Sequence, residues 1–419
     1  MNDVLGLTVE ECEILIKRRL KNEDDGLLDY QVTPLAEGRY GIIGEHWILK
    51  INTKNGQKIR FFVKSPPQME SMVFYVKHID IASKEEDFYQ KVVPAMKQAG
   101  LDLIEEVAVQ CHMVKKSQFL IFEDLSILGY KVYSSLESLS YEAVKVGLVT
   151  LAKFHACSLV FEENMSVKYG EKYRIIDHFH NEVKETFYCD ELPSRQFVES
   201  IIKSITLQIE LFPELFEDMD KESFKNFVTD TWKNVKEFVK PSKKFRNVIC
   251  HGDTWSTNMM YKEENCKPAK CILIDFQLHR YTPPAQDVML FLYLATDRKF
   301  RSKYKTECLD LYYEHLSSTL SSYKLDVAKI IPKNDFQSGC EYYELFGMAQ
   351  CFSYFHLMKV TPTILKNFFD NPDASTDFLF NNRNEFIAKY CEQDPSYKEV
   401  QRESLLNFKD AFLKLKTSN

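Results

Sequence analysis

Residues 248–280 read VICHGDTWSTNMMYKEENCKPAKCILIDFQLHR and carry the most informative pattern in the chain. Two short apolar runs, VIC and CILI, are each followed closely by an acidic residue, Asp253 and Asp275. Asn258 follows Asp253 with four residues between them, which is the D-x-x-x-x-N spacing of a kinase catalytic loop. In such a loop one carboxylate accepts a proton from an incoming hydroxyl, while the amide and the second carboxylate hold magnesium. The stretch therefore predicts a phosphoryl-transfer site built at strand ends.

The residues before this stretch predict a small sheet with a leading helix. Thr8 with Glu11 forms a capping box in front of an amphipathic helix over residues 9–20. Strand-like runs cover residues 29–35, 41–52 and 58–64, and Asn55-Gly56 between the last two favours a hairpin turn. Lys64 then ends the third strand. It either extends into solvent along the sheet or grips the α- and β-phosphates of a nucleotide.

A lysine that grips phosphates needs a carboxylate from the following helix to hold it. Residues 81–98 predict that helix. The helical period places Glu85 on the face that also carries two aromatic residues, against the sheet. We therefore expect Glu85 to pair with Lys64, with Glu86 as the second choice and an ordinary surface charge as the alternative for either.

Two further strands are expected at residues 107–114 and 118–122, after which the run FLIFEDL enters a polar, flexible stretch at residues 126–138. In a two-lobed kinase this is the place where the lobes join. Backbone groups near Glu123 and Leu125 are then candidates to bind adenine. An ordinary transition from strand to loop is the alternative, since side-chain identity does not separate the two.

Helical patterns dominate the rest of the chain. Residues 143–159 are apolar nearly all round, which predicts a helix central to a larger lobe. We expect its His155 to be structural and hydrogen-bonded to a backbone carbonyl. Residues 160–244 predict an inserted helical subdomain. The aromatic segment YYELFGMAQCFSYFHLM at residues 342–358 predicts core packing, with the lining of a pocket as the alternative.

Length and composition limit the class of protein. The 419 residues are too many for one core, so we expect an N-terminal lobe over residues 1–123 and a C-terminal lobe over residues 124–419. A net charge of -7 argues against a nucleic-acid binder. The 11 cysteines form no C-x-x-C pairs and indicate a reducing compartment. No secretory signal or membrane-spanning run is expected, and a cytoplasmic location follows.

The segments CHGDTWSTNMMY, IDFQLHR, PPAQDVMLFL, LAKFHACSL and FEDL resemble the CHK kinase-like proteins of arthropods. These proteins include the ecdysteroid kinases and are similar to choline kinases and aminoglycoside phosphotransferases. The resemblance covers about residues 30–400. It implies an α+β, two-lobed protein-kinase-like fold with a small β-rich N-lobe and a large, mostly helical C-lobe. It also implies transfer of the γ-phosphate of ATP, with Mg²⁺, to an alcohol of a small molecule.

The resemblance implies a role for each residue of the motif set. Asp253 would be the catalytic base, and Asn258 and Asp275 would be the magnesium ligands. Lys64 would hold the nucleotide phosphates, and Glu85 would brace this lysine. The protein would then act by positioning the hydroxyl and neutralising developing charge.

The resemblance also concerns residues around the loop that contains Asp253. His251 and Asp287 would support the catalytic loop. Gly252 stands where protein kinases place an arginine, and Pro283-Pro284 follows too closely to leave room for an activation segment. Both features point to a small acceptor. No G-x-G-x-x-G occurs in residues 36–44, so the amides that would contact phosphate are not identified.

The function predicted is therefore an ATP- and magnesium-dependent small-molecule O-kinase, with an ecdysteroid or a similar hydrophobic hydroxylated compound as the first choice of acceptor. Hydroxylated xenobiotics are an equal alternative, and choline or ethanolamine is a weaker one. The alternative class is a catalytically inactive, ligand-binding pseudokinase. Pseudokinases usually lose at least one of the polar residues of the site, and here Lys64, Asp253, Asn258 and Asp275 are all intact.

Overall fold

The computed structural model of the protein describes residues 5–21, 25–35, 44–67 and 81–418. Helix α1 (Val9–Leu20) begins with the predicted capping box, in which the Glu11 N–H donates to the Thr8 hydroxyl and the Thr8 N–H donates to the Glu11 carboxylate. Its buried residues Cys12, Leu15 and Ile16 belong to a core shared with the N-terminal sheet. The predicted leading helix is therefore confirmed, and it covers one face of that sheet.

The N-terminal sheet has five antiparallel strands in the order β1-β2-β3-β5-β4. Gly56, with φ of +81°, provides the predicted turn between the second and third strands, a backbone conformation that glycine adopts without steric cost. The strands are β1 (Leu27–Pro34), β2 (Glu45–Thr53), β3 (Lys58–Ser65), β4 (Cys111–Lys115) and β5 (Phe119–Glu123).

The alternation of side chains along β3 determines where Lys64 points. Successive residues of a strand face opposite sides of the sheet. Phe61 and Val63 are fully buried in the core beneath α1, so Phe62 and Lys64 face the other side. That side is covered by the helix that follows β3 and by the second half of the protein.

Helix α2 runs from Ile81–Asp87 through a π-helical turn, Phe88–Val92, to Val93–Gln98. The predicted helix is present, but the wide turn in its middle was not predicted. The strand expected at residues 107–114 begins only at residue 111, and this expectation was wrong in its first part. A helical turn, α3 (Ile104–Val107), precedes it, and the Val109 N–H then donates to Leu273 of the C-terminal half.

The segment after β5 is more ordered than the sequence predicted. A 3₁₀ turn, Leu125–Leu128, is capped by the Asp124 side chain and is followed by strand β6 (Tyr130–Val132). β6 pairs with β8 (Met259–Glu264), which in turn pairs with β9 (Lys267–Leu273). The expectation of a flexible loop over residues 126–138 was therefore wrong for its first part, because the backbone there finds hydrogen-bond partners on β8.

The C-terminal half is organised around α4 (Tyr141–Tyr169), which contains the predicted central helix and extends beyond it at both ends. Strands β7 (Val248–Cys250) and β10 (Arg280–Thr282) form a two-stranded ladder. Helices fill the insertion and the C-terminal region as predicted: α5 (Ile175–His178), α6 (His180–Val183), α7 (Leu192–Leu211), α8 (Lys221–Lys233), α9 (Val235–Phe238), α10 (Pro284–Ala295), α11 (Arg298–Ser322), α12 (Val327–Ile330), α13 (Lys333–Met358), α14 (Pro362–Phe369), α15 (Pro372–Phe380), α16 (Asn384–Gln393) and α17 (Pro395–Ser418).

Within the described residues, α4 is the one helix long and apolar enough to cross a membrane by length and composition. The expectation that no apolar run reaches this length was therefore wrong. In the fold, 78% of the apolar window of α4 is buried inside the protein, which is the behaviour of a core helix.

The predicted α+β class, with a small β-rich N-terminal part and a mostly helical C-terminal part, is confirmed. The lobe boundary at residues 123 and 124 stays a prediction, and it coincides with the end of β5.

Candidate active site

Lys64 lies between two carboxylates that come from distant parts of the chain. Its Nζ is 2.6 Å from Glu85 Oε2 on α2 and 2.7 Å from Asp275 Oδ1, which follows β9. Burial alone would lower the pKa of Lys64, but the charges of Asp275 and Glu85 outweigh it and raise that pKa. The structure thus brings three of the predicted residues together around one charged amine.

The two adjacent glutamates of α2 have different partners. Glu85 uses its second oxygen, Oε1, to accept the N–H of Phe276 at 3.1 Å, so it links Lys64 to the backbone just after Asp275. Burial raises the pKa of Glu85, and the Lys64 charge opposes this effect. Glu86 Oε1 instead accepts the N–H of Ser117 at 2.7 Å. Glu85, the first choice from the sequence, is therefore the residue that contacts Lys64.

Asp275 adopts a backbone conformation that is uncommon for a residue with a side chain. Its φ is +65°, in the left-handed region, where aspartate is found more often than most residues. Phe276, the next residue, stacks on Phe88 of the π-helical turn, with ring centroids 4.3 Å apart and an interplanar angle of 11°. The turn in α2 and the backbone after β9 thus pack directly against each other and fix the Asp275 carboxylate beside Lys64.

Asp253 and Asn258 contact each other within the loop after β7. Asn258 Nδ2 donates to Asp253 Oδ2 at 2.8 Å and to the Asp253 backbone carbonyl at 3.0 Å. The other carboxylate oxygen, Oδ1, accepts the hydroxyl of Tyr354 on α13 at 2.6 Å. Burial raises the pKa of Asp253 to about 7, so this carboxylate is more basic than an aspartate in water.

Asp287, on α10, accepts hydrogen bonds from the backbone of the same loop. Its Oδ2 accepts the N–H of His251 at 2.5 Å, and its Oδ1 accepts the N–H of Gly252 at 2.9 Å. Burial alone would raise the pKa of Asp287, but its hydrogen bond to His155 and the neighbouring histidine charges hold that pKa below its ordinary range. The His251 ring reaches in the other direction, with Nε2 2.8 Å from the Ile274 carbonyl oxygen.

Gly252 is required at the bend of this loop. Its φ is +79°, and a Cβ added there would lie 2.1 Å from the Leu278 carbonyl oxygen and 3.1 Å from Arg280 Nε. Arg280, which is 1% exposed, forms an ion pair with Glu185 at 2.9 Å. An arginine from the downstream strand β10 therefore fills the space behind the loop.

His155 is buried and structural, but the expected partner was wrong. Its Nδ1 lies 2.7 Å from the Tyr312 hydroxyl and its Nε2 lies 3.1 Å from Asp287 Oδ2, rather than near a backbone carbonyl. In the middle of α4 the backbone carbonyls bond within the helix, so the ring is satisfied by side chains of neighbouring helices. Cys250 completes a buried group that by residue type could hold a metal, but its thiol donates to the Thr282 carbonyl.

A cavity of about 690 Å³ lies between the N-terminal sheet and the loop. Its walls include Lys64, Glu85, Asn258 and Asp275 together with the segment after β5. A cavity of this size suits a nucleotide or another ligand of similar volume. The predicted phosphate-covering segment spans residues 36–44, and all of it except Gly44 lies outside the described residues.

At the end of β5 the N–H and the carboxylate of Glu123 are already engaged. Its N–H donates to the Gln110 carbonyl at 2.9 Å, and its carboxylate accepts from Arg19 of α1 and contacts His112. The N–H of Leu125 opens a 3₁₀ turn, where the first amides have no acceptor within the turn. Of the two predicted adenine contacts, Leu125 therefore offers the free donor.

Two participants were missed by sequence reasoning. Tyr354 lies in the aromatic segment that was expected to be core, and the Arg280–Glu185 pair has no motif of its own. A tyrosine within a phenylalanine-rich helix is a weak signal of a polar partner, because a buried phenol usually needs one. The sequence, however, carries no sign that the partner is Asp253.

A family model described as the ecdysteroid kinase-like family matches residues 47–325. Among solved structures, choline kinase LicA from Streptococcus pneumoniae matches with 14% identity and a TM-score of 0.34, covering 80% of this chain and 99% of that chain. A choline/ethanolamine kinase family protein from Mesorhizobium loti matches with 10% identity and a TM-score of 0.32, covering 85% and 89%. An aminoglycoside phosphotransferase from Streptomyces rimosus, in complex with ADP and streptomycin, matches with 11% identity and a TM-score of 0.29, covering 80% and 99%. No curated protein matches at the sequence level.

Proposed function

Since the chain belongs to the ecdysteroid kinase-like family, we propose that it is an ATP- and magnesium-dependent kinase that phosphorylates an alcohol of a small molecule. The observation that carries this proposal is the position of Lys64 between Glu85 and Asp275, at distances of 2.6 and 2.7 Å, on a wall of the 690 Å³ cavity. A strand lysine, a helix glutamate and an aspartate after a later strand meet in this way in phosphoryl-transfer sites of the kinase type.

The nucleotide would occupy the cavity between the sheet and the loop. Lys64 donates to its phosphates, and Glu85 keeps the amine pointed at them. The Leu125 N–H donates to the adenine ring of the nucleotide, which is the role expected for a backbone amide at the junction after β5.

The donor set at the inner wall of the cavity fits magnesium. Mg²⁺ prefers hard oxygen ligands, and Asp275 offers a carboxylate while Asn258 offers an amide oxygen. Asn258 Nδ2 is bonded to Asp253, which leaves its oxygen for this role. When bound, magnesium neutralises charge on the transferred phosphate.

Asp253 acts as the base that accepts the proton of the attacking hydroxyl. Burial makes its carboxylate a better proton acceptor than a free aspartate, and a base with a pKa near the working pH is the efficient choice. Asp287 holds the loop through the N–H groups of His251 and Gly252. The presence of Lys64, Asp253, Asn258 and Asp275 supports the proposal of an active enzyme over a pseudokinase.

An ecdysteroid, or a similar hydrophobic compound with several hydroxyls, is the acceptor we propose. The family supports this choice, and aromatic side chains lie beside the base, since the rings of Trp255 and Tyr354 meet edge to face with centroids 6.1 Å apart. Hydroxylated xenobiotics fit the same surroundings. A cytoplasmic location is proposed because the eleven cysteines, all within the described residues, form no disulfide bond.

The test is an ATP-consumption screen of ecdysteroids, hydroxylated xenobiotics and choline, with mass detection of the phosphorylated product. Asp253→Asn should lose turnover by a factor of about 10²–10⁴ and keep nucleotide affinity, because the base is removed and the nucleotide contacts remain. Asp275→Ala should instead lose the magnesium-dependent part of nucleotide binding. Equal loss of affinity and rate in Asp253→Asn, or unchanged magnesium-dependent binding in Asp275→Ala, would contradict these assignments.

A further inference from the structure

The two oxygens of the Asp253 carboxylate face different parts of the protein. Oδ2 accepts from Asn258, which lines the nucleotide cavity. Oδ1 accepts from Tyr354, which is not among the described residues that line that cavity. The carboxylate therefore stands between the nucleotide cavity and helix α13, and the side of α13 is the one from which a second substrate can reach Oδ1.

Tyr354 differs from its neighbours on α13. Among residues 346–358, all of which the structure describes, it alone is partly exposed while the others are buried. This half of the helix otherwise packs in the core, so a partly exposed tyrosine here calls for an explanation beyond packing. Its ring lies edge-on to that of Trp255, two residues after Asp253, and this contact holds the hydroxyl over the carboxylate.

Tyr354 donates to Asp253 the same kind of hydrogen bond that an acceptor alcohol donates to a catalytic carboxylate. An acceptor alcohol donates its O–H to the catalytic carboxylate, and O–H···O bonds of this kind have lengths of about 2.5–3.0 Å. The Tyr354 hydroxyl makes such a bond to Oδ1 at 2.6 Å. Since Oδ2 is taken by Asn258, the Tyr354 hydroxyl occupies the place of the acceptor hydroxyl.

We propose that Tyr354 is a gate on the acceptor side of Asp253: its hydroxyl holds the base until an acceptor alcohol displaces it, and it thereby suppresses transfer of phosphate to water. This inference rests on the proposed function, since it takes Asp253 to be the base. In the suppressed reaction a water oxygen forms a bond to the γ-phosphorus. The bond from that phosphorus to the β,γ-bridging oxygen breaks, the water proton passes to Asp253, and ADP and phosphate leave.

The experiment measures ADP release from ATP and magnesium with no acceptor present. Tyr354→Phe keeps the ring and removes the hydroxyl, so it should raise the rate of ADP release severalfold. The gain reaches about tenfold if the wild-type Asp253 is free of the Tyr354 hydroxyl for about a tenth of the time and the variant Asp253 is free of it all the time. Nucleotide affinity should stay unchanged. Tyr354→Leu, which also removes the ring, should show at least the same gain.

The matched control is Tyr293→Phe. The Tyr293 hydroxyl also donates to a carboxylate in the same half of the protein, Glu344 at 2.9 Å, but away from the base. This variant should release ADP at the wild-type rate. The double variant Tyr354→Phe with Asp253→Asn should lose the gain, because the gain requires the base.

Unchanged or lower ADP release in both Tyr354 variants overturns the gate, and so does a gain that persists without the Asp253 carboxylate. Failure of the proposed function has a different signature, namely absence of magnesium-dependent nucleotide binding by the wild-type protein. A protein that binds the nucleotide with magnesium and phosphorylates an alcohol, but shows no gain in either Tyr354 variant, retains the proposed function and loses the gate.

Discussion

Asp287 offers the sharpest test of how the loop at residues 251–258 is held. Its carboxylate is fully buried and accepts three hydrogen bonds, from the N–H groups of His251 and Gly252 and from the ring of His155. Asp287→Asn is nearly isosteric, so it changes the hydrogen bonding without leaving a void. The amide oxygen can keep the position of Oδ2, where two donors converge, and the new NH₂ group then faces the N–H of Gly252.

The magnitude follows from this arrangement. The Gly252 N–H loses its acceptor and is left buried beside another donor, which costs about 1–3 kcal/mol. The two remaining bonds lose the charge on their acceptor, and a hydrogen bond to a charged group exceeds a neutral one by about 1 kcal/mol. The sum is about 3–5 kcal/mol, concentrated on the loop. A displacement of Asp253 by a fraction of an ångström should lower turnover by about 10–100-fold.

The assay combines thermal unfolding, hydrogen–deuterium exchange of peptides from residues 248–258, and ATP turnover. The variant should melt lower, exchange faster in that segment and turn over more slowly, while the nucleotide is still bound. The control is Asp297→Asn at the N-cap of α11, where the side chain accepts from the Phe300 N–H and asparagine caps equally well. If Asp287→Asn behaves like this control in all three measurements, the hydrogen bonds of Asp287 do not hold the loop in place.

Two further variants test neighbouring parts of the site. Gly252→Ala combines a left-handed φ with a Cβ only 2.1 Å from a carbonyl oxygen, so it should lower the free energy of unfolding by at least about 2 kcal/mol. The control Gly170→Ala has the same sign of φ but open space around the Cβ, and it should lower that free energy by about 1 kcal/mol. Equal melting temperatures of the two variants would refute the close contact at Gly252. Glu85→Gln removes the charge beside Lys64 and should weaken nucleotide binding and turnover by about tenfold or more, since a charge-assisted bond is replaced by a neutral one. Glu86→Gln keeps an oxygen for its backbone donor and should resemble the wild type, so an equal loss there would refute the assignment of the lysine partner.

The sequence was sufficient to predict those elements whose geometry is local. The Asn-Gly pair fixes a two-strand hairpin, and the period of a strand then determines which face carries Lys64. The same reasoning selects Glu85, because the helical period separates it from Glu86 by a large angle. Spacing within one loop likewise grouped Asp253 with Asn258 in one motif, although the hydrogen bond between their side chains was not predicted.

What the sequence could not supply were partners from elements distant in the chain. Periodicity tells which face of α13 is apolar, but not that Tyr354 lies opposite Asp253. The same limit applies to His155, whose structural role was predicted while its partners on other helices were not. Strand β6 was missed because three residues carry too short a pattern, and its partner β8 lies more than a hundred residues away.

The charges around Lys64 favour joint binding of nucleotide and metal. One amine contacts two carboxylates, so the group Lys64, Glu85 and Asp275 carries a net negative charge when all three are ionised. A nucleoside triphosphate would bring several more negative charges to the same wall of the cavity. At separations of a few ångströms in a partly buried site, the repulsion between the phosphates and the two carboxylates amounts to several kcal/mol. On the proposed function, Asp275 and Asn258 would hold a divalent cation, whose positive charge would offset this repulsion, and Lys64 would then be available to the phosphates. On the proposed function, therefore, the pairing of Lys64 with Asp275 makes the site selective for the magnesium complex of the nucleotide over the free nucleotide.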